Sequence, residues 1–229
     1  MTVAWIAAAL GVLLLAAAAR ALLAVHRTRA VGPQRAVMVS LEDATSADPH
    51  SGAVRSVQKA DLLIDEDALA AIWTPAHLER LARTYWRFLT RVTFGLIRVR
   101  YTETSRSVVL IAAPLRLLTF SAPEYELDGE RGVVRWQIDR GLLVAQRGEE
   151  RRGHLQIEVL RLGPASEPQR TNVHLIVEVA NFYPAIASAI SLALYNATQS
   201  RIHVIVTHGF LRSLVRLDLA TSRVGRLAD

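Results

Sequence analysis

The nine residues 172–180, with the sequence NVHLIVEVA, alternate between apolar and polar side chains. Valine and leucine occupy the odd-numbered positions from 173 to 179, whereas Asn172, His174 and Glu178 occupy even-numbered ones. Successive side chains of a β-strand point to opposite faces, so this period of two predicts a strand with one buried face and one polar face. The sequence therefore predicts a sheet, of which this is the clearest strand.

Six segments upstream show strand patterns too, and short polar links join several of them. The segments are residues 97–102, 107–112, 116–120, 133–140, 142–146 and 154–162. The links at residues 128–132 and 147–153 are rich in glycine and charge, as hairpin turns are. Connections this short join antiparallel neighbours. The middle of the chain is therefore predicted to be an antiparallel meander of six or seven strands.

Helical patterns lie on both sides of the meander. Residues 65–73 predict a short helix, and Thr74-Pro75 predicts the start of a second, because threonine caps helices and proline suits their first position. Residues 185–208 are mostly uncharged and predict a long C-terminal helix buried against the sheet, which Gly209 could break or bend. Residues 61–64 predict a first strand. The fold class is α+β.

The second helix carries a row of arginines. Arg80, Arg83, Arg87 and Arg91 recur away from the apolar stripe of Leu78, Leu81 and Tyr85. This row is predicted to lie against anionic membrane headgroups, with Trp86 at the interface, or to be an ordinary solvated face.

The N-terminal 25 residues are almost uncharged. A helix over residues 3–25 would be about 34 Å long, enough to cross a hydrocarbon core of about 30 Å. A cleavable signal peptide and a buried soluble helix are the alternatives. Arg20, Arg27, Arg29 and Arg35 all lie on the C-terminal side of the uncharged residues 2–19, which places that side in the cytoplasm. We therefore predict a single-pass cell-membrane protein with a cytoplasmic domain.

The composition excludes several classes of site. The chain has no cysteine, which removes disulfides, thiolate nucleophiles and iron–sulfur clusters. The net charge is +6, and four of the arginines behind it lie in the first 35 residues. The rest of the chain is therefore only weakly basic, and nucleic-acid binding is not predicted. The histidines are scattered, and Ser200 with His203 has no orienting acid nearby, so no metal, cofactor or catalytic residue is predicted.

Three parts follow from these patterns. Residues 1–25 form the anchor, and residues 26–60 a basic collar and linker, with a turn-rich, acidic segment at residues 41–54. Residues 61–229 form one folded domain.

The order of these elements resembles the START and polyketide-cyclase-like superfamily, also called SRPBCC, whose fold is the helix grip. The resemblance lies in topology alone and carries no motif over. It implies a sheet wrapped on the C-terminal helix, with an apolar cavity between them. The candidate cavity residues are Trp136, Ile138, Leu155, Ile157, Val173, Leu175, Ile186, Ile190 and Leu194.

The resemblance also directs the functional hypotheses. The first is non-enzymatic binding or local transfer of a lipid-like or isoprenoid ligand at the membrane. The second is a structural or interaction protein of the cell envelope with a filled core, whose protein partner the sequence does not name. A cyclase-type enzyme is the third, and an enzyme is the less favoured class because no acid or base is identified.

Overall fold

A computed structural model describes residues 35–48, 50, 53–110, 115–141, 144, 153–182, 207, 209–211 and 214. Nine strands and two helices lie in these ranges. The strands are β1 (Ala36–Ala47), β2 (Val54–Asp65), β3 (Ile97–Tyr101), β4 (Ser105–Leu110), β5 (Leu115–Ser121), β6 (Glu124–Leu127), β7 (Arg131–Arg140), β8 (His154–Pro164) and β9 (Arg170–Phe182). The helices are α1 (Glu66–Ile72) and α2 (Pro75–Val92).

All strands belong to one antiparallel sheet. Its order is β1-β2-β9-β8-β7-β5-β4-β3, and β6 pairs with β7 beside this path. Strand β9 lies between β2 and β8. The last described strand therefore pairs with β2, the strand that precedes both helices. This arrangement is a helix-grip-like α+β fold in the described part of the chain.

The hairpin of β1 and β2 corrects the predicted linker. The two strands pair from Ala36 with Ile64 to Ala47 with Val54, with a bulge between Met38 and Ser40, and β2 continues to Asp65. The folded domain therefore includes residues 36–47 and 54–60, which the sequence assigned to collar and linker. The pattern missed β1 because it is an edge strand whose residues 42–46 are all exposed, so apolar and polar positions do not alternate there.

The predicted start of α2 is confirmed. The hydroxyl Oγ1 of Thr74 accepts a hydrogen bond from the backbone N–H of His77 at 3.3 Å, and Pro75 is the first helical residue. Helix α1 also falls where the sequence placed it.

Helix α2 packs on one face of the sheet, which we call the helix face. Trp86 is buried there, with ring centroids 5.3 Å from Phe120 and 5.4 Å from Trp136. The prediction that Trp86 lies at a membrane interface was therefore wrong, because the buried side of α2 is wider than its apolar stripe.

Part of the C-terminal segment also covers α2. Gly209 and Phe210 are helical, and the Phe210 ring lies edge-on to Tyr85 at 5.4 Å. A Cβ atom on Gly209 would lie 2.1 Å from Cζ of Phe88, so glycine is required for this close approach. Of the predicted helix over residues 185–208, only Thr207 lies within the described residues.

Within the described ranges, neither helix combines the length and the apolar character that a membrane crossing requires. The predicted anchor at residues 1–25 and most of the predicted strand at 142–146 lie outside those ranges.

Candidate functional site

An apolar cavity of about 70 Å³ lies between α1, the start of α2 and the helix face of the sheet. Its lining is apolar except for Thr74 and His77. The apolar lining residues are Leu62, Ile64, Leu69, Ile72, Trp73, Leu78, Leu81, Leu127, Gly132, Val159, Val173, Leu175 and Leu214. Ligand sites for drug-sized molecules measure about 300–1,000 Å³, so the cavity as it stands admits only a small group.

Helix α1 covers one side of this cavity. It has seven residues, of which Leu69 is buried, at 2% exposure. Beyond its end, the indole Nε1 of Trp73 donates a hydrogen bond of 2.7 Å to the carbonyl oxygen of Asp128 in the β6–β7 turn. Helices this short are not stable alone in water, so these contacts hold α1 in place.

The predicted cavity residues divide into three groups. Val173 and Leu175 line the cavity. Trp136, Ile138, Leu155 and Ile157 are buried in the packed core and are not part of the described lining. Ile186, Ile190 and Leu194 lie outside the described residues.

A second feature, which we call the buried charged cluster, lies where α2 meets β3, β4 and β6. It consists of Glu79, Arg83, Tyr101, Arg106 and Tyr125. Glu79 and Arg83 are one helical turn apart and are 5% and 9% exposed, and Arg106 is 6% exposed. The guanidinium carbons of Arg83 and Arg106 lie 4.8 and 5.2 Å from the centroid of the Tyr101 ring, within cation–π range.

The two arginines of the cluster differ in their hydrogen bonds. Nη1 of Arg106 donates to the carbonyl oxygens of Thr102 and Ser105, at 2.5 and 2.9 Å, and so fastens the β3–β4 turn. In contrast, Nε and Nη1 of Arg83 are buried without a hydrogen-bond partner in the described structure, as is Oε2 of Glu79. Buried polar groups are nearly always hydrogen-bonded, so these three atoms are unusual.

Burial governs the titration of the cluster. Burial, and then the Glu79 carboxylate, raises the pKa of the Tyr125 phenol, so Tyr125 remains a neutral O–H donor at neutral pH. Burial also lowers the pKa of Arg106 from its usual value, although an arginine stays charged across the physiological range.

The four arginines predicted to lie on a membrane surface do not share one exposed face of α2. Arg87 and Arg91 are exposed and Arg80 is half-buried, with Nη1 3.0 Å from Nε2 of His77. Arg83 is buried, so its assignment to the surface was wrong. The reason is that the sheet covers α2 well beyond the apolar stripe, as the burial of Glu79 and Trp86 also shows.

The outer face of the sheet, away from α2, carries a serine, an aspartate and a histidine in contact. Nδ1 of His174 lies 2.6 Å from Oδ1 of Asp61, and the hydroxyl of Ser40 donates to Oδ2 of the same carboxylate. These two hydrogen bonds, from Ser40 first, lower the pKa of Asp61. Because the serine bonds to the acid and not to the histidine, the arrangement lacks the base that activates a nucleophile. Among the described residues, no three histidine, aspartate or glutamate side chains are grouped to hold a metal ion.

No protein-family model and no curated protein matches the chain. Solved structures that match include human STARD10, at 10% identity over 74% of this chain and 73% of that chain, with a TM-score of 0.28. Norcoclaurine synthase from Thalictrum flavum matches at 12% identity, 68% and 92% coverage and a TM-score of 0.30.

An uncharacterised protein from Rhizobium leguminosarum matches at 15% identity, 71% and 98% coverage and a TM-score of 0.31. At these TM-scores the likeness carries no argument about the site or its chemistry. The helix-grip-like description rests on the strand order and helix positions of this chain.

Of the cluster, only Arg83 was named from the sequence, which placed it on the surface, and no role was predicted for Glu79, Arg106 or Tyr125. The available signal was the charged pair Glu79 and Arg83 at a spacing of four residues on α2. Arg106 gave none, because it lies just before the predicted strand at residues 107–112 and so had no assigned face.

Proposed function

We propose that the domain binds a lipid-like apolar ligand between α1 and the sheet, without catalysing a reaction on it. The observation that carries the proposal is the cavity, whose described lining is apolar apart from Thr74 and His77. Apolar side chains that face a void lose dispersion contacts, and a bound apolar group restores them. An apolar group therefore gains dispersion contacts in this cavity.

A ligand of lipid size requires α1 to move. The cavity of about 70 Å³ accepts only a short part of an alkyl chain. Displacing α1 breaks the hydrogen bonds from Trp73 to Asp128 and from the Glu66 N–H to Gln169, and exposes Leu69, but it leaves the main core packed. Helix α1 is thus the cover of the proposed site.

The proposal includes residues 1–25 as a membrane anchor with the domain on the cytoplasmic side. The uncharged sequence and the arginines that follow it support this placement. A tethered domain stays at a high effective concentration beside its source of ligand. Membrane fractionation and protease protection of the full-length chain test the anchor and its orientation.

Photocrosslinking of the full-length chain in lipid nanodiscs tests the ligand site. The probe is a medium-chain fatty alcohol that carries a diazirine, which labels any side chain it contacts on irradiation. Peptide mapping is expected to find the label on α1 and on the parts of β2 and β9 that line the cavity.

A matched pair of glycine variants makes this test specific. A Cβ atom on Gly132 would lie 3.2 Å from Cδ1 of Leu127 and 3.5 Å from Cδ1 of Leu78, so Gly132→Val fills the cavity. Nothing lies within 4 Å of a Cβ on Gly129, so Gly129→Val is the control. We expect cavity labelling to be lost in the first variant and kept in the second. Equal labelling of the two, with both folded by circular dichroism, would contradict the proposal.

A further inference from the structure

The buried charged cluster has an unbalanced charge. It holds two guanidinium groups, Arg83 and Arg106, and one carboxylate, Glu79. Removing an ion from water costs several kcal/mol even after the protein relaxes, unless an opposite charge and hydrogen bonds compensate. The described cluster is therefore one anion short of neutrality.

Of the two guanidinium groups, the one that lacks hydrogen bonds is that of Arg83. Arg106 donates to two backbone carbonyls, whereas Nε and Nη1 of Arg83 have no hydrogen-bond partner in the described structure. A guanidinium group is a strong donor to carboxylate and phosphate oxygens. Unpartnered nitrogens on a side chain that is 9% exposed thus mark a position where an oxyanion would be stabilised.

The cluster adjoins the cavity on two elements. On β6, Tyr125 of the cluster and Leu127 of the cavity are two residues apart, so both side chains leave the same face of the strand about 7 Å apart. On α2, Leu78 of the cavity is followed directly by Glu79 of the cluster. An alkyl chain in the cavity can therefore direct its end toward the cluster.

We propose that Arg83 and Arg106 form an oxyanion subsite beside the cavity, and that the ligand is an amphipathic anion. Its carboxylate or phosphate group binds the guanidinium groups, with the Tyr125 hydroxyl as a further donor, and its alkyl chain lies beneath α1. This inference rests on the proposed function of the cavity and specifies the class of ligand.

Three diazirine probes with the same alkyl chain test the subsite on the full-length chain in nanodiscs. They are a fatty alcohol, a fatty acid and an alkyl phosphate. We expect the acid, the phosphate or both to label the cavity about tenfold more than the alcohol at equal concentration, a difference of about 1.4 kcal/mol. The preferred head group distinguishes a carboxylate source from a phosphate source.

The variant Arg83→Met removes the charge and keeps a side chain of similar length. It is expected to abolish the preference for the anionic probes, so that the acid and the phosphate label the cavity no more than the alcohol does. Arg100→Met is the matched control, because Arg100 is exposed and points away from its neighbour Tyr101 on β3. A thermal melt of each variant reports whether it is folded.

The outcomes separate the two proposals. Equal labelling by all three probes, or an anion preference that survives Arg83→Met, would overturn the oxyanion subsite and leave apolar binding in place. Absence of cavity labelling by every probe would overturn both.

Discussion

Two charged regions of this protein differ in how their ions are compensated. On the outer face of the sheet, Nε of Arg131 donates to Oε1 of Glu158 at 2.5 Å, and Nε of Arg55 donates to Oε1 of Glu178 at 2.8 Å. On the helix face, Arg83 is more deeply buried, yet two of its nitrogens have no hydrogen-bond partner in the described structure. A missing hydrogen bond costs more in a buried position than at the surface. The more buried arginine, Arg83, is nevertheless the one that lacks hydrogen bonds.

The comparison separates stability from function. Partly exposed ion pairs stabilise a sheet modestly. A buried, uncompensated cation destabilises the folded state, and such costs are typical of sites adapted to a ligand. Four measurements test this contrast, in order of decreasing effect.

The largest effect is expected from Arg106→Met. The substitution leaves the carbonyl oxygens of Thr102 and Ser105 without their donor and removes the cation beside Tyr101. We expect a loss of about 2–4 kcal/mol in the free energy of unfolding, measured by urea titration. Arg100→Met is the exposed control and should change it by less than about 0.5 kcal/mol. A loss that small for Arg106→Met would show that the β3–β4 turn does not depend on its hydrogen bonds.

Arg83→Met is expected to act in the opposite direction. It removes two unpartnered nitrogens and leaves one carboxylate, Glu79, with one guanidinium, Arg106, so the cluster becomes neutral. Replacing a poorly compensated buried ion by an apolar side chain is often stabilising, here by about 1–2 kcal/mol without ligand. A rise in the thermal midpoint checks this, and a fall would mean that Arg83 contributes to the stability of the empty domain.

A smaller loss is expected from Glu158→Gln on the outer face. Arg131 also contacts Glu126, and its side chain is 40% exposed, so solvent weakens the ion pair. We expect a loss of about 0.5–1 kcal/mol that diminishes at high salt. Urea unfolding at low and high ionic strength measures it, and a loss that is independent of salt would argue against an electrostatic origin.

The smallest effect concerns pH and one histidine in each region. Burial, and then Arg80, lowers the pKa of His77 beside the cavity, and burial followed by Arg135 lowers that of His154 on the outer face. The folded state therefore binds fewer protons than the unfolded state, whose histidines titrate near pH 6.5. Stability is expected to decrease as the pH falls through about 6.5, and to do so less in His77→Gln and His154→Gln. A slope unchanged by both substitutions would assign the acid sensitivity to other groups.

The sequence predicted most of the sheet because its strands have uniform faces. Residues 172–180 alternate, and β9 covers them with two residues added at each end. The hairpin of β1 and β2 was missed where the edge strand has no buried face. Leu62 lines the cavity, but it lay in a predicted strand of only four residues. Four of the predicted cavity residues were instead on β7 and β8, where the structure has packed core residues.

The candidate site was less accessible to prediction than the fold. Arg83 belongs to a helical row of arginines, and helical spacing alone assigns all four to one solvated side. Its burial depends on strands that begin about 14 residues later in the chain and approach α2 only in the folded domain.

By itself, the sequence determined the positions of most strands, their antiparallel connections and the start of α2, because periodicity, turns and caps depend on residues near one another in the chain. The tertiary structure decided which arginine is buried, which acid accompanies it and where the apolar cavity lies. The first two depend on contacts of α2 with β3, β4 and β6, and the third on the packing of α1 against β2 and β9. No local pattern encodes these contacts.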